Sequence, residues 1–123
     1  MTNLKNQPFG GRLRNAGRGL AHALCTERSL RLQGLGFLAV TAALALLRPG
    51  AAWSALVLLS CGAVLGAELF NTALEALVDH LHPQLHERIG RVKDCAAAAV
   101  LVNALAALGV AAALAWHLLR PGG

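Results

Sequence analysis

Three long stretches of this sequence carry no charged side chain, and they limit the possible folds more than any other feature. They cover residues 32–47, 51–67 and 96–119. A helix needs about 20 apolar residues to span the hydrocarbon of a bilayer. The first stretch is slightly short, but Arg31 and Arg48 flank it and can extend their charged ends to the headgroups. The sequence therefore predicts three transmembrane helices.

The composition also favours a membrane protein. Hydrophobic residues make up 56% of the chain and charged residues 14%, whereas a soluble domain of this size needs more charge to cover its surface. A net charge of +5 is compatible with a nucleic-acid partner. The interleaved aromatic and basic residues typical of single-strand binding are missing, however. Attraction to an anionic membrane face explains the charge, and we expect no nucleic-acid partner.

Turn residues and apolar periodicity give the bounds of the predicted helices. Pro49 and Gly50 end the first transmembrane helix. Before it, leucines and arginines occupy separate stripes of an amphipathic helix that we expect to lie in the membrane interface. The chain, residues 1–123, is predicted to be a single all-α domain. Its predicted elements are an interfacial helix over about 9–30 and transmembrane helices over about 32–47, 51–79 and 96–119.

Basic side chains predict the orientation of these helices in the membrane. One side, formed by the N-terminal segment and the second loop, carries Lys5, Arg12, Arg14, Arg18, Arg28, Arg31, Arg88, Arg91 and Lys93. The other side has only Arg48 and Arg120. The positive-inside rule therefore puts the N-terminus and the second loop in the cytoplasm. All 6 acidic residues lie on that side, so we expect any chemistry at the cytoplasmic interface.

The second predicted helix carries a row of polar side chains. Glu68, Asn71, Glu75 and Asp79 fall within about 80° of one another on a helix. A carboxylate at membrane depth is costly unless it is paired or binds a metal, so Mg²⁺, Lys93 or an N-terminal arginine is expected to neutralise the row. Spacing alone leaves three interpretations: a salt-bridged stripe between helices, a cation or proton pathway, and a metal-assisted catalytic site.

The acidic row is part of a longer pattern. Its three runs are Glu27-x-x-x-Arg31, Glu68-x-x-Asn71-Thr72-Ala73-x-Glu75-x-x-x-Asp79 and His86-x-x-x-Gly90-Arg91-x-Lys93-Asp94. With the three-helix layout, these runs make the chain resemble the prokaryotic integral-membrane diacylglycerol kinases over residues 15–119. The charged residues stand inside apolar sequence, which makes the pattern specific.

The resemblance implies an ATP-dependent lipid kinase. Such an enzyme transfers the γ-phosphoryl group of MgATP to the hydroxyl of diacylglycerol and forms phosphatidic acid. The resemblance also implies a homotrimer among the lipids of the bacterial inner membrane, with active sites at the cytoplasmic interface. In agreement, the sequence contains no Walker A run and no glycine-rich kinase loop.

The resemblance also assigns roles to individual residues. Glu68 corresponds to the general base for the lipid hydroxyl, and Glu68 and Arg31 correspond to the substrate site. Glu27 and Glu75 correspond to metal-binding carboxylates, whose oxygens suit Mg²⁺. The nucleotide is assigned to Glu27, Glu75, His86, Lys93 and Asp94, with supporting roles for Asn71 and Asp79.

Simpler interpretations exist for parts of this pattern. Glu27 and Arg31 have the spacing of a surface salt bridge on one helix. Lys93 and Asp94 could form the charged edge of the third transmembrane helix. Members of the family carry an acid close to the position of Gln33. If that acid helps to hold metal, this chain binds a second cation less tightly.

Two other functions remain open at the level of sequence. Related membrane kinases phosphorylate undecaprenol, and apolar contacts discriminate only modestly between two lipid alcohols. A function of another class is a non-enzymatic membrane protein that uses the acidic row as a cation site or path. Three helices are too few to shield the acids from lipid, so oligomerisation is also expected on physical grounds.

Overall fold

The computed structural model describes residues 7–120, and this range contains four α-helices and no strand. The helices are α1 (Phe9–Thr26), α2 (Arg28–Leu47), α3 (Ala51–Leu81) and α4 (Glu87–Leu119). Helices α2, α3 and α4 are each long and apolar enough to cross a membrane. The predicted all-α fold with three spanning helices is confirmed, while Lys5 lies outside the described range.

The junction between α1 and α2 differs from the predicted boundary at residues 30–32. Glu27 alone separates the two helices, with extended backbone angles of φ −101° and ψ 116°. Its carbonyl oxygen accepts the N–H of Arg31 at 3.2 Å, within the first turn of α2. A single extended residue therefore lets the chain turn from one helix axis to the next. No glycine or proline marks this turn in the sequence.

Helix α4 begins at Glu87 and not at residue 96, where the sequence placed the start. Charged side chains do not end a helix when they project into water, and an acid in the first turn favours a helix N-terminus. The ring of His86 contributes a cap, because its Nδ1 accepts the backbone N–H of Arg88 at 3.2 Å. Helix α3 likewise continues to Leu81, so the second loop is only residues 82–86.

Helix α3 is the central element of the fold. It packs along α2 and α4 and also touches α1. The apolar core joins the three spanning helices through Leu44, Val57 and Leu114. Helices α2 and α4 do not pack against each other within residues 7–120, and an apolar groove of about 610 Å³ lies between them.

The turn between α2 and α3 depends on unusual backbone angles at two residues. Arg48 adopts a left-handed conformation (φ 46°), and its N–H bonds to the carbonyl of Leu44 at 2.9 Å. Gly50 then has φ 105° and ψ 160°, a region that is open essentially only to glycine. Pro49 stands between them, so the turn is stiff and short.

We expect Gly50→Ala to destabilise the protein by roughly 1–3 kcal/mol, because alanine strains the backbone at this angle. Thermal unfolding in detergent micelles, followed by circular dichroism, measures the effect. Gly17→Ala is the matched control: a Cβ at this helical position meets nothing within 4 Å, and alanine is the better helix former. Equal unfolding midpoints for Gly50→Ala and Gly17→Ala would contradict the backbone conformation of Gly50 in this turn.

Candidate functional site

The four polar residues of α3 have different surroundings in the structure. Glu68 is the deepest, with 8% of its surface exposed. Its Oε1 accepts a hydrogen bond from the hydroxyl of Ser29 at 2.5 Å. This bond joins the first turn of α2 to α3. Sequence reasoning missed Ser29, since no periodicity connects two residues on different helices.

A cleft of about 580 Å³ lies between α1 and α3. Glu27 lines it from the junction of α1 and α2, and Glu75 and Asp79 line it from α3. The side chains of His22, Thr26 and Thr72 add polar groups to its walls. The structure therefore brings together the two carboxylates that the family resemblance assigns to a metal.

Small residues leave the room for this cleft. Gly19 and Ala23 face it from α1, and Ala73 and Ala76 face it from α3. Ala23 is buried, whereas a Cβ on Gly19 would meet nothing within 4 Å.

Asp79 has a basic partner. Its Oδ1 lies 2.9 Å from Nζ of Lys93, so an ion pair joins the end of α3 to the first turns of α4. The other ion pair within residues 7–120 joins Arg91 to Glu87. Neither Glu27 nor Glu75 has a basic partner in the part of the chain that the structure describes. Both carboxylates are therefore available to a cation.

Arg31 is not paired with Glu27, so the interpretation as a surface salt bridge is wrong. The guanidinium of Arg31 instead donates to the carbonyl of Cys25 at 2.9 Å. That carbonyl is one of the last in α1, and such terminal carbonyls need a partner outside their own helix. Arg31 thus ties α2 to α1 and does not line the cleft.

The cleft walls also lack three residues that the sequence assigned to the nucleotide: His86, Lys93 and Asp94. Lys93 is connected to the cleft only through its ion pair with Asp79. His86 caps α4 and meets His82 edge to face, with ring centroids 5.8 Å apart. Asp94 is exposed on α4. Both lie near the loop that follows α3, and their roles stay predictions.

Two buried amide oxygens have no hydrogen-bond partner among the described residues. They are Oδ1 of Asn71 and Oε1 of Gln33. Buried carbonyl oxygens are normally satisfied, so each of these two oxygens carries a desolvation cost that no contact within the described residues offsets. Gln33 lines the apolar groove between α2 and α4.

The residues of the cleft fit a magnesium ion that arrives with phosphates. Within residues 7–120, no group of three or more His, Cys, Asp or Glu side chains could hold a metal ion. Mg²⁺ usually binds proteins through only one or two carboxylates and fills its other positions with water and substrate phosphates. Glu27 and Glu75 match that pattern. The described residues do not offer the three or more ligands that a cation held by protein side chains alone would need.

The fold and the site define a class of protein. Three helices can cross a membrane, an amphipathic helix precedes them, and an acidic cleft lies at one end of the bundle. The chain is thus a small multi-pass membrane protein with a polar site beside its spanning helices. The family model described as prokaryotic diacylglycerol kinase matches residues 14–115. The chain belongs to this family, as its motifs predict.

Individual relatives agree with this assignment. The chain is similar to a diacylglycerol kinase of Synechocystis, with 38% identity over 102 residues, which cover 82% of this chain and 58% of that protein. It is also similar to a diacylglycerol kinase of Escherichia coli K12, with 32% identity over 99 residues, covering 80% of this chain and 81% of the relative. A Shigella flexneri diacylglycerol kinase has the same identity and coverage. The chain therefore spans less than two thirds of the Synechocystis protein.

We expect Glu68→Gln to raise the unfolding midpoint. A buried carboxylate whose partner is a neutral hydroxyl carries a desolvation cost of roughly 1–3 kcal/mol, and the amide removes it. Unfolding in detergent micelles measures the change. Glu87→Gln is the control, because Glu87 is exposed and the loss of its ion pair and of its charge at the N-terminus of α4 should leave the midpoint unchanged or slightly lower it. A lower midpoint for Glu68→Gln would contradict this expectation and indicate a cation bound to Glu68.

Proposed function

We propose that this chain is a lipid kinase that transfers the γ-phosphoryl group of MgATP to the hydroxyl of diacylglycerol, giving phosphatidic acid. One observation carries the proposal. Glu27 and Glu75, from different parts of the chain, line a single cleft, and the buried Glu68 lies on the same face of α3. Membership in the prokaryotic diacylglycerol kinase family and the names of the relatives support it.

In this proposal, Glu68 acts on the lipid. Ser29 occupies Oε1 of its carboxylate, which leaves Oε2 to accept the proton of the lipid hydroxyl. The hydroxyl oxygen then forms a bond to the γ-phosphorus. The bond between that phosphorus and the bridging oxygen of the β-phosphate breaks, and ADP leaves with the electron pair. Arg31, in the first turn of α2, is proposed to contact the lipid substrate.

The cleft takes the nucleotide. Glu27 and Glu75 are proposed to hold Mg²⁺, which neutralises charge on the phosphates when bound. Glu75 lies seven residues from Glu68 on α3, about 10 Å along the helix axis, so phosphates at Glu75 extend towards the base. Lys93 borders the outer end of the cleft through its ion pair with Asp79.

The remaining nucleotide contacts are proposed from the family pattern. Lys93 supplies positive charge to phosphate, and His86 and Asp94 approach the nucleotide from the start of α4. Asn71 and Asp79 support the site from α3. All these groups lie at the end of the bundle that carries the second loop.

We further propose a homotrimer in the bacterial inner membrane, with the N-terminus and the active site on the cytoplasmic side. The basic residues of α1 and of the first turns of α4 support this orientation. The open groove between α2 and α4 supports an assembly, since it leaves a large apolar surface uncovered. The number of subunits follows the family pattern.

An ion pathway fits the acidic row less well. A pathway needs successive sites that a cation can enter and leave. Here Ser29 holds the carboxylate at one end of the row, and Lys93 pairs with the carboxylate at the other end. A row with protein partners at both ends is better suited to a fixed site.

The proposal is tested with purified protein, labelled ATP and Mg²⁺, presented with diacylglycerol and undecaprenol in separate reactions. We expect label in phosphatidic acid. Label only in undecaprenyl phosphate would show that the chain is a lipid kinase whose substrate is undecaprenol and not diacylglycerol. An absence of label in both lipids, together with no binding of MgATP, would overturn the proposed function.

In the same assay we expect Glu68→Gln to lower kcat by about 10²- to 10⁴-fold, since an amide cannot accept the proton. Binding of MgATP should stay unchanged, because Glu68 does not line the cleft. Glu87→Gln is the matched control and should keep the full rate. A normal rate for Glu68→Gln would refute its role as general base.

We expect Glu75→Gln to raise the Mg²⁺ concentration needed for half-maximal rate by about tenfold or more, because it removes one of two protein ligands. Glu27→Gln should act in the same direction. A magnesium titration of the rate measures both effects, again with Glu87→Gln as control. An unchanged magnesium requirement in both variants would contradict the assignment of the metal to this cleft.

A further inference from the structure

The hydrogen bond between Ser29 and Glu68 connects residues 39 positions apart in the chain, at a distance of 2.5 Å. Glu68 is the buried charged residue of the described range. A carboxylate with so little access to water depends on the few polar groups that reach it. Ser29 is the group that reaches it here, although Ser29 itself lies near the surface of the chain.

The use of the Ser29 hydroxyl is unusual for its place in the helix. Serine in the first turn commonly bonds a backbone group of its own helix. The N-terminus of α2 has no side-chain cap, so three or four backbone N–H groups there have no intrahelical partner. Ser29 nevertheless donates across to α3. The proton of the hydroxyl thus goes to the carboxylate of Glu68 and not to a backbone carbonyl of the local helix.

We propose that Ser29 is a positioning residue that orients Glu68 for proton abstraction from the lipid hydroxyl. This inference rests on the proposed function. A glutamate side chain turns about three bonds, and a hydrogen bond to Oε1 selects one orientation. Because the carboxylate has two oxygens, a single donor leaves Oε2 directed at the substrate.

The position of Ser29 also relates the base to the nucleotide cleft. Glu27, which lines the cleft, and Ser29, which holds the base, belong to the same short segment at the junction of α1 and α2. The carbonyl of Glu27 and the N–H of Arg31 close the turn that contains Ser29. One turn of backbone therefore positions both Glu27, which lines the cleft, and Ser29, which orients Glu68.

The first test compares Ser29→Ala, Ser29→Thr and the wild type. Ser29→Ala should lower kcat roughly ten- to hundredfold, as expected for the loss of a hydrogen bond to a charged group. The KM for MgATP should stay within about twofold, because Ser29 does not line the cleft. Ser29→Thr keeps a hydroxyl and should restore most of the rate.

Ser60→Ala is the matched control. Ser60 also carries a hydroxyl in a spanning helix, but it donates to the carbonyl of Val57 in its own helix at 2.9 Å. Its loss should leave kcat unchanged. An equal decrease for Ser60→Ala and Ser29→Ala would mean a general effect of hydroxyl removal and would overturn the inference.

The second test asks whether Ser29 acts through Glu68. In the Glu68→Gln background, Ser29→Ala should cause no further decrease in kcat, because two residues that act as one unit do not have additive effects. A further decrease equal to the one in the wild-type background would show that Ser29 acts independently, and the positioning role would be wrong.

A spectroscopic test does not depend on activity. The carboxylate stretching bands of Glu68 are identified by infrared spectroscopy, as the difference between wild type and Glu68→Gln after ¹³C labelling of glutamate. Ser29→Ala should shift these bands, and Ser60→Ala should not. Unshifted bands would refute the contact itself. If Ser29→Ala shifts the bands but leaves kcat unchanged, the positioning role alone is refuted. If Ser29→Ala shifts the bands but the wild-type protein phosphorylates no lipid, the contact exists and the proposed function is refuted, and with it the role of Ser29 in the reaction.

Discussion

A carboxylate placed in the apolar part of a helical bundle needs a partner, and the structure is organised around this requirement at Glu68. The side chain is buried on α3, the helix that contacts all the others. Its partner comes from the start of α2, and this is possible because α2 begins directly after Glu27. The junction between α1 and α2 at Glu27 therefore places the hydroxyl of Ser29 within hydrogen-bond distance of the acid.

The three acids of α3 are stabilised in three different ways along one helix face. Glu68 accepts a hydrogen bond from a neutral hydroxyl. Glu75 opens into a cleft, and Asp79 pairs with the ammonium group of Lys93. They span eleven residues, about 16 Å of helix axis, so their distance from the middle of the membrane rises from Glu68 to Asp79. A proton acceptor suits the deep end, and charged phosphates suit the outer end.

Much of the fold could be predicted from the sequence, because apolar runs report directly on spanning helices. The polar face of α3 was predictable for a similar reason, since helical periodicity puts Glu68, Glu75 and Asp79 on one side. The start of α4 at Glu87 was not predictable from hydrophobicity. A helix continues through charged residues when water surrounds them, and the apolar pattern marks only its embedded part.

The site was predictable only where its residues lie on one helix or belong to the family pattern. The hydroxyl of Ser29 and the walls of the cleft depend on how α1, α2 and α3 meet, and this information is absent from spacing along the chain. Arg31 is the opposite case, in which spacing along the chain predicts a contact that the structure does not contain. Its spacing from Glu27 suits a salt bridge, but Glu27 is extended and breaks the helical register, so the guanidinium reaches the carbonyl of Cys25 instead.

The unsatisfied oxygens of Asn71 and Gln33 lie in two different parts of the helical bundle. In hydrocarbon, water is not available to hydrate a buried amide, so its partner must come from protein or ligand. Asn71 belongs to the polar face of α3, whereas Gln33 lines the groove between α2 and α4. An added helix in that groove would cover its apolar walls. Because α3 carries the acids and also forms the floor of the groove through Val57, Cys61 and Val64, packing of a second chain there would restrain the helix that holds the candidate base. Under the proposed function, assembly across the groove and proton abstraction at Glu68 would therefore involve the same helix, α3.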